Sequence, residues 1–143
     1  MIHYQKYAPG RVFLIIAGII MIIFGVSAIG VLVGGILGLI GLTDFPEQNS
    51  MRLSFLMLGL GLVGVIQLVT GIIGIKNCNM PEKAKVCFVW GILAAASALI
   101  GIILSVVMEP NWDAVMDVYG IYVCLSVLPT LYLIGAVRNR RGY

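Results

Sequence analysis

Four long apolar runs, separated by short polar segments, make up most of the 143-residue chain. The runs predict helical spans at about residues 12–34, 53–75, 86–108 and 118–137. Each has about the length of roughly 20 residues that an α-helix needs to cross the hydrocarbon core of a bilayer. None contains Asp, Glu, Lys, Arg or His in its interior. The pattern predicts an all-α fold, a polytopic membrane four-helix bundle in a single transmembrane domain covering residues 1–143.

A polar bridge at residues 76–85 divides the chain into two similar halves, 1–77 and 78–143. The halves begin near Pro9 and Pro81, which are 72 positions apart, and end near Gly74 and Gly135, which are 61 apart. The first half is therefore 11 residues longer, and the excess lies between its two spans. We interpret the halves as an internal repeat, with two tandem helical hairpins forming the bundle.

The first apolar run is longer than one span requires. Residues 12–42 are 31 residues without a charge, and as one straight helix they would be roughly 46 Å long against about 30 Å of hydrocarbon. We expect either a break near Gly34 and Gly35 or a projection beyond the membrane against something apolar. The sequence leaves open whether residues 34–42 form a helical extension, a break or a cap.

Small residues recur at spacings of four and seven within the spans, which places them on common helix faces where another helix backbone can approach closely. We predict helix packing through a glycine zipper and related stripes at Gly30, Gly34, Gly38, Gly41, Gly64, Gly71, Ser97, Gly101 and Ser105. Whether the packed helix belongs to this chain or to another one stays open at this point.

Three polar side chains inside the spans, Gln67, Thr70 and Ser126, form a possible intramembrane polar site. Such residues usually make hydrogen bonds between helices, although they can also contact a substrate that passes through a bundle. Pro129 in the fourth span frees the carbonyl of Leu125, so we expect a bend there. The hydroxyl of Ser126 or Thr130 could satisfy that carbonyl.

The composition argues against several classes of function. The chain is 61% hydrophobic and 10% charged, and its spans lack the ionisable groups that proton- and cation-coupled transporters use. Three separated cysteines, Cys78, Cys87 and Cys124, have neither redox nor zinc spacing. Without a basic stripe interleaved with aromatic residues, the net charge of +3 does not indicate a nucleic-acid partner. We expect no enzyme activity, no catalytic residue, no cofactor and no metal site.

The distribution of charge predicts the orientation in the membrane. Eight of the nine Lys and Arg residues lie near the termini or in the bridge. The other two loops hold Arg52 and five of the six acidic residues. Because cationic loops stay in the cytoplasm, we expect a multi-pass protein of the cell membrane with both termini and the bridge cytoplasmic.

The C-terminal run at residues 129–141 reads PTLYLIGAVRNRR. It resembles the ends of small four-span bacterial membrane proteins of uncharacterised function, over about a tenth of the chain, and the resemblance implies no activity. The plan is similar in outline to claudins and tetraspanins. The first predicted outer loop lacks the claudin-like tryptophan and cysteine pattern, and the second lacks the tetraspanin-like C-C-G.

Two hypotheses for function follow. The first is a non-catalytic integral membrane protein that acts through helix packing with a membrane partner, as an accessory, regulatory or immunity-type protein. The longer first hairpin favours it, because an apolar extension at the membrane surface calls for a contact that covers it. The alternative is a small oligomeric transporter or pore that carries a neutral or hydrophobic substrate past Gln67, Thr70 and Ser126. The expected partners are the lipid bilayer and either a membrane protein or a homo-oligomer.

Overall fold

A computed structural model describes residues 8–41, 50–108 and 112–141, and in these ranges the fold is all-α with no strand. The elements in chain order are α1 (Arg11–Leu39), α2 (Ser50–Asn77), a short 3₁₀-helix (Pro81–Lys83), α3 (Ala84–Met108) and α4 (Trp112–Arg141). The predicted all-α fold is therefore confirmed.

In the part of the chain that the structure describes, three helical segments are long and apolar enough to cross a membrane: Arg11–Leu39, Met51–Asn77 and Ala84–Leu104. They contain the first three predicted spans almost entirely. The fourth predicted span, residues 118–137, lies within α4, and its crossing of the membrane stays a prediction.

α1 continues through Gly34 and Gly35 without a break and is 29 residues long, or about 43 Å. Of the two alternatives, a break at these glycines or an extension, the structure has the extension, which is helical as far as Leu39. Just beyond it, Gly41 has a φ of 73°, and its N–H donates to the Gly38 carbonyl at 3.2 Å. A glycine in this left-handed conformation is a common helix terminator. Residue 42 lies outside the described residues.

The helices pair with antiparallel neighbours. α1 and α2 make the most extensive contact, followed by α3 with α4, α2 with α3, and α1 with α4. Gly18 lies against Gly71 and Gly35 against Leu58, so α1 and α2 run in opposite directions. Gly91 of α3 lies against Leu133 of α4, and Ile102 of α3 lines a groove together with Val123 of α4, so α3 and α4 also run in opposite directions. Among the described residues, α1 therefore contacts α2 most and α3 contacts α4 most, and the arrangement as two tandem hairpins stays a prediction.

The buried core lies in the half of the molecule next to the bridge, which we call the bridge half. It is formed by the start of α1, the end of α2, the start of α3 and the end of α4. Its largest cluster of buried residues comprises Leu14, Ala17, Met21, Cys78, Cys87, Ala94, Leu128, Tyr132 and Ala136. Between apolar helices in lipid, such a cluster stabilises through close packing rather than through removal from water.

α4 passes through Pro129, which is fully buried. The hydroxyl of Thr130 donates to the carbonyl of Ser126 at 3.0 Å. This hydrogen bond lies beside the proline, but its acceptor is the carbonyl of Ser126. The carbonyl that the sequence predicts to be free is the neighbouring one of Leu125, which Pro129 leaves without its backbone donor.

Candidate functional site

α1 and α2 meet along a seam where their backbones nearly touch. A Cβ added at Gly71 would lie 2.6 Å from the Gly18 carbonyl oxygen, and one added at Gly25 would lie 2.8 Å from that of Gly64. A side chain at Gly64 would overlap Ala28. Only glycine permits so close an approach, which increases the van der Waals contact between helices in lipid. The seam glycines are Gly18, Gly25, Gly35, Gly61, Gly64 and Gly71.

Gly64 and Gly71, two of the predicted packing residues, lie in this seam. Gly30 does not, because an added Cβ there would have no atom within 4 Å, and the same holds for Gly41. A Cβ at Gly34 would meet only the terminal methyl of Met57, at 3.0 Å. At 100° per residue, Gly30 lies nearly half a turn away from Gly25. Gly30 and Gly34 of the predicted zipper therefore lie mainly on a different face of α1 from the seam, and Gly41 lies beyond the end of the helix.

The predicted small-residue stripe of α3 is partly buried inside the fold. Gly101 is buried, and Ser97 is 9% exposed. The Ser97 hydroxyl donates to the Ala94 carbonyl of its own helix at 2.9 Å. The side chain of Ser105, the third predicted member, lies outside the described residues.

Two members of the predicted polar site lie in the interior. Gln67 and Thr70 are both fully buried. The Thr70 hydroxyl donates to the Ile66 carbonyl at 2.8 Å and lies 3.4 Å from the Trp90 carbonyl of α3. This side chain therefore links α2 to α3, which is the packing role that polar residues commonly have inside a membrane bundle.

Ser126, the third predicted member, instead lines a groove between α3 and α4. The groove has a volume of about 360 Å³ and is lined by Ile102, Val123, Ser126, Val127, Thr130 and Leu131. Ser126 is half-buried there, whereas Gln67 and Thr70 are enclosed. The structure therefore places the three predicted residues in two different environments.

Asn139, which the sequence analysis did not single out, joins three segments in the bridge half. It is 1% exposed. Its Oδ1 accepts a hydrogen bond from the Gly10 N–H at 2.6 Å, and its Nδ2 donates to the Cys78 carbonyl at 3.2 Å. The amide thus links the start of α1, the bridge and the end of α4. The sequence offers only a weak signal for this role, an Asn that follows a cation at the end of each half, as Asn77 and Asn139 do.

Tyr132 fills the centre of the bridge half. It is fully buried, and its ring fits against Gly74, where any added side chain would overlap it. Its hydroxyl lies beside Cys87 and has no hydrogen-bond partner of ordinary geometry among the described residues. Cys78 and Cys87 are free thiols, both buried. Within the described part of the chain, no group of three His, Cys, Asp or Glu side chains is placed to hold a metal ion.

The opposite end of the first helix pair is built differently, and we call it the outer pair: α1 from Gly25 to Leu39, the following Ile40, and α2 from Met51 to Gly64. Beyond Met21, the buried residues of α1 are the two seam glycines Gly25 and Gly35. The other faces expose large aliphatic and aromatic side chains. These are Val26, Ile29, Val33, Ile36, Leu37, Leu39, Ile40, Met51, Leu53, Phe55 and Leu62.

Comparison with known proteins adds no further constraint. No protein family model matches this chain. No curated protein and no solved structure matches it significantly. The site must be interpreted from its own geometry.

Proposed function

We propose that this chain is a non-catalytic integral membrane protein that acts by packing its outer pair against another membrane protein, in an accessory, regulatory or immunity-type role. Its two tandem hairpins would form a four-span bundle in the cell membrane, with both termini and the bridge in the cytoplasm. The bridge half would hold the bundle together, and the outer pair would carry the contact.

The main support for the proposal is that the aliphatic end of α1 would extend beyond the hydrocarbon core of the membrane. At the average tilt of about 20°, a helix of about 43 Å covers about 40 Å along the membrane normal, roughly 10 Å more than the hydrocarbon core. With Arg11 at one interface, Ile36 and Ile40 would lie among the polar headgroups of the other. Both are exposed, at 43% and 64%. Apolar surface in that layer is unfavourable unless another apolar surface covers it.

The partner that fits this surface is a second apolar helix end. The large exposed side chains of α1 in the outer pair are aliphatic and carry no charge, so an aqueous domain with polar side chains would complement them poorly. The seam with α2 is already closed by backbone contact, which leaves the opposite faces of α1 for the partner. Gly30 and Gly34 lie on one of those faces, where a partner helix could approach closely.

The experiment compares two matched double variants of the tagged full chain in native membranes. Ile36→Ala with Ile40→Ala alters the proposed contact, and Ile19→Ala with Ile23→Ala is the control. All four residues are exposed isoleucines of the first apolar run, and each pair is spaced by four. We expect the first variant to lower partner recovery roughly tenfold, as truncation of buried anchor residues commonly does. The control should recover as much partner as the unaltered chain.

Equal recovery from both variants, with both chains folded, would contradict the proposal. Recovery of nothing but further copies of this chain would favour the alternative function. That alternative is a small oligomeric transporter or pore for a neutral or hydrophobic substrate. The buried pair Gln67 and Thr70 supports it, because a polar interior could contact such a substrate.

The alternative has its own test. Purified protein in liposomes should release a small neutral solute if it forms a pore, and Gln67→Leu should reduce that release. Thr130→Val is a control of comparable size at an exposed hydroxyl of α4. An absence of release above that of empty liposomes would contradict the alternative.

A further inference from the structure

The bridge end of the molecule is strongly cationic. Asn139 hydrogen-bonds to the backbone of Gly10 and of Cys78, so the start of α1, the bridge and the end of α4 come together there. The basic residues of these segments are Arg11, Lys76, Lys83, Lys85, Arg138, Arg140 and Arg141, and Glu82 is the one acidic residue among the described residues of this end. Clusters of this size next to membrane spans attract anionic lipids.

One cation of the cluster is held in place. The guanidinium of Arg138 lies over the ring of Phe13, 5.4 Å from its centroid, within the range of a cation–π interaction. Phe13 is itself held close to α4, since a Cβ at Gly135 would lie 2.9 Å from the Phe13 Cβ. Arg138 remains exposed. A positioned guanidinium can bind a phosphate group through two parallel hydrogen bonds.

The groove between α3 and α4 lies on the same face of α4 as this arginine. Val127, Leu131, Ile134 and Arg138 are spaced by four, three and four residues, which places them on one stripe of the helix. Val127 and Leu131 line the groove, and Ile134 is exposed between it and Arg138. Arg138 lies eleven residues after Val127, a distance of about 16 Å along the helix, about half the thickness of the hydrocarbon core.

The lining of the groove suits a hydrocarbon chain. Four of its six residues are aliphatic. The hydroxyl of Thr130 is used within α4, where it donates to the Ser126 carbonyl at 3.0 Å. The groove therefore offers mainly methyl and methylene groups, at the depth where an acyl chain that starts beside Arg138 would end.

We propose that this face of α4 binds one anionic phospholipid, with its phosphate on Arg138 and the end of one acyl chain in the groove between α3 and α4. The site is at the opposite end of the molecule from the outer pair, and it does not depend on the proposed partner. It applies whichever side of the membrane the bridge end faces, because both leaflets present headgroups.

The headgroup is tested by native mass spectrometry of the purified full chain in detergent, with dioleoyl phosphatidylglycerol or dioleoyl phosphatidylcholine added. We expect preferential retention of the anionic lipid. Arg138→Gln should lower that retention roughly fivefold, the effect of one well-placed cation. Arg140→Gln, at an exposed arginine off the stripe, should change it less than twofold. Equal retention of both lipids by the unaltered chain would overturn the proposal, and so would equal losses in the two variants.

The acyl chain is tested by filling the groove. Val127→Phe should reduce retention of dioleoyl phosphatidylglycerol and leave that of the dihexanoyl lipid unchanged, because a six-carbon chain beside Arg138 is too short to reach Val127. Val89→Phe, at an exposed valine of α3 outside the groove, is the control. Unchanged retention of the long lipid, or an equal loss of the two lipids, would overturn the assignment of the groove.

Discussion

The bridge half and the outer pair of this molecule are stabilised in different ways. In the bridge half, four helices enclose large side chains such as Tyr132 and Met21, and Asn139 links the backbones of three segments. In the outer pair, two helices meet mainly through glycines, with Ser54 and Val63 of α2 also buried, and large apolar side chains elsewhere on both helices are exposed. One backbone seam therefore holds α1 against α2 from Gly18 to Gly35, while large apolar side chains of the outer pair stay exposed.

The two kinds of contact differ in what they tolerate. A backbone seam has no room for any added atom, but it uses only one face of each helix. A core of interlocked side chains and amide hydrogen bonds uses several helices and depends on each polar group having its partner. We therefore expect the seam to be damaged most by added side chains, and the bridge half by the loss of side chains or hydrogen bonds.

The largest effect is expected at the seam. Gly25→Leu would place a side chain against Leu68 and within 2.8 Å of the Gly64 carbonyl oxygen, whereas Gly30→Leu would meet no atom within 4 Å. We expect Gly25→Leu to destabilise the fold by about 3 kcal/mol or to prevent folding, at the upper end of overpacking effects. Gly30→Leu should be within about 1 kcal/mol of the unaltered chain. Thermal unfolding in detergent measures both, and equal destabilisation would mean that the seam is not the contact described here.

A somewhat smaller effect is expected at Asn139. Replacement by Leu removes both hydrogen bonds and leaves the Gly10 N–H and the Cys78 carbonyl without their partner, which should cost about 2–3 kcal/mol. Asn79→Leu, at an exposed asparagine of the bridge, is the control and should have little effect. The same unfolding assay applies. A stable Asn139→Leu variant would show that the three segments do not depend on this amide.

A small effect is expected at Thr70. Thr70→Val removes the hydroxyl that lies 3.4 Å from the Trp90 carbonyl of α3 and should destabilise by about 0.6 kcal/mol, the typical value for a hydrogen bond between membrane helices. Thr130→Val removes a hydroxyl that bonds within its own helix. The difference between the two variants isolates the link between α2 and α3, and a larger loss at Thr130 would contradict that assignment.

No change in stability is expected from the variant that tests orientation. Cys78 and Cys87 are buried, so a failure to label them from outside intact cells would not reveal which side the bridge faces. Asn79→Cys, in a chain with Cys124→Ser, puts a thiol at an exposed position of the bridge. If the bridge is cytoplasmic, an impermeant maleimide should label it only after the cells are opened. Rapid labelling of intact cells would reverse the proposed orientation.

The sequence was sufficient to predict the helices, but it did not predict which face of each helix packs against its neighbour. Apolar runs without charge predict the four helices, because each must satisfy its own backbone hydrogen bonds in lipid. They do not say which of two glycine stripes on α1 meets α2. Residues seven apart, such as Gly18 and Gly25, lie on nearly the same side of the helix and can contact the same neighbour. Residues four apart, such as Gly30 and Gly34, are displaced further around the helix at each step. Both stripes satisfy the same sequence rule.

Asn139 shows why the polar contacts between segments could not be predicted from the sequence. Its partners are 129 and 61 residues away along the chain, and only the packing of α1, the bridge and α4 brings them together. By contrast, the link that Thr70 makes to α3 is the usual role of a polar residue within a span. Local patterns thus indicated that small and polar residues pack within the spans, but neither which glycines form the seam nor which distant backbones the polar groups join.

The most direct test of the central claim is photo-crosslinking from the end of the first apolar run in native membranes. A benzophenone side chain at Ile40, which is 64% exposed, is compared with one at Val107, which is 77% exposed near the end of α3. If the outer pair packs against another membrane protein, Ile40 should give a distinct protein adduct that Val107 does not give. Adducts with lipid alone from Ile40, or the same protein adducts from both positions, would contradict the account.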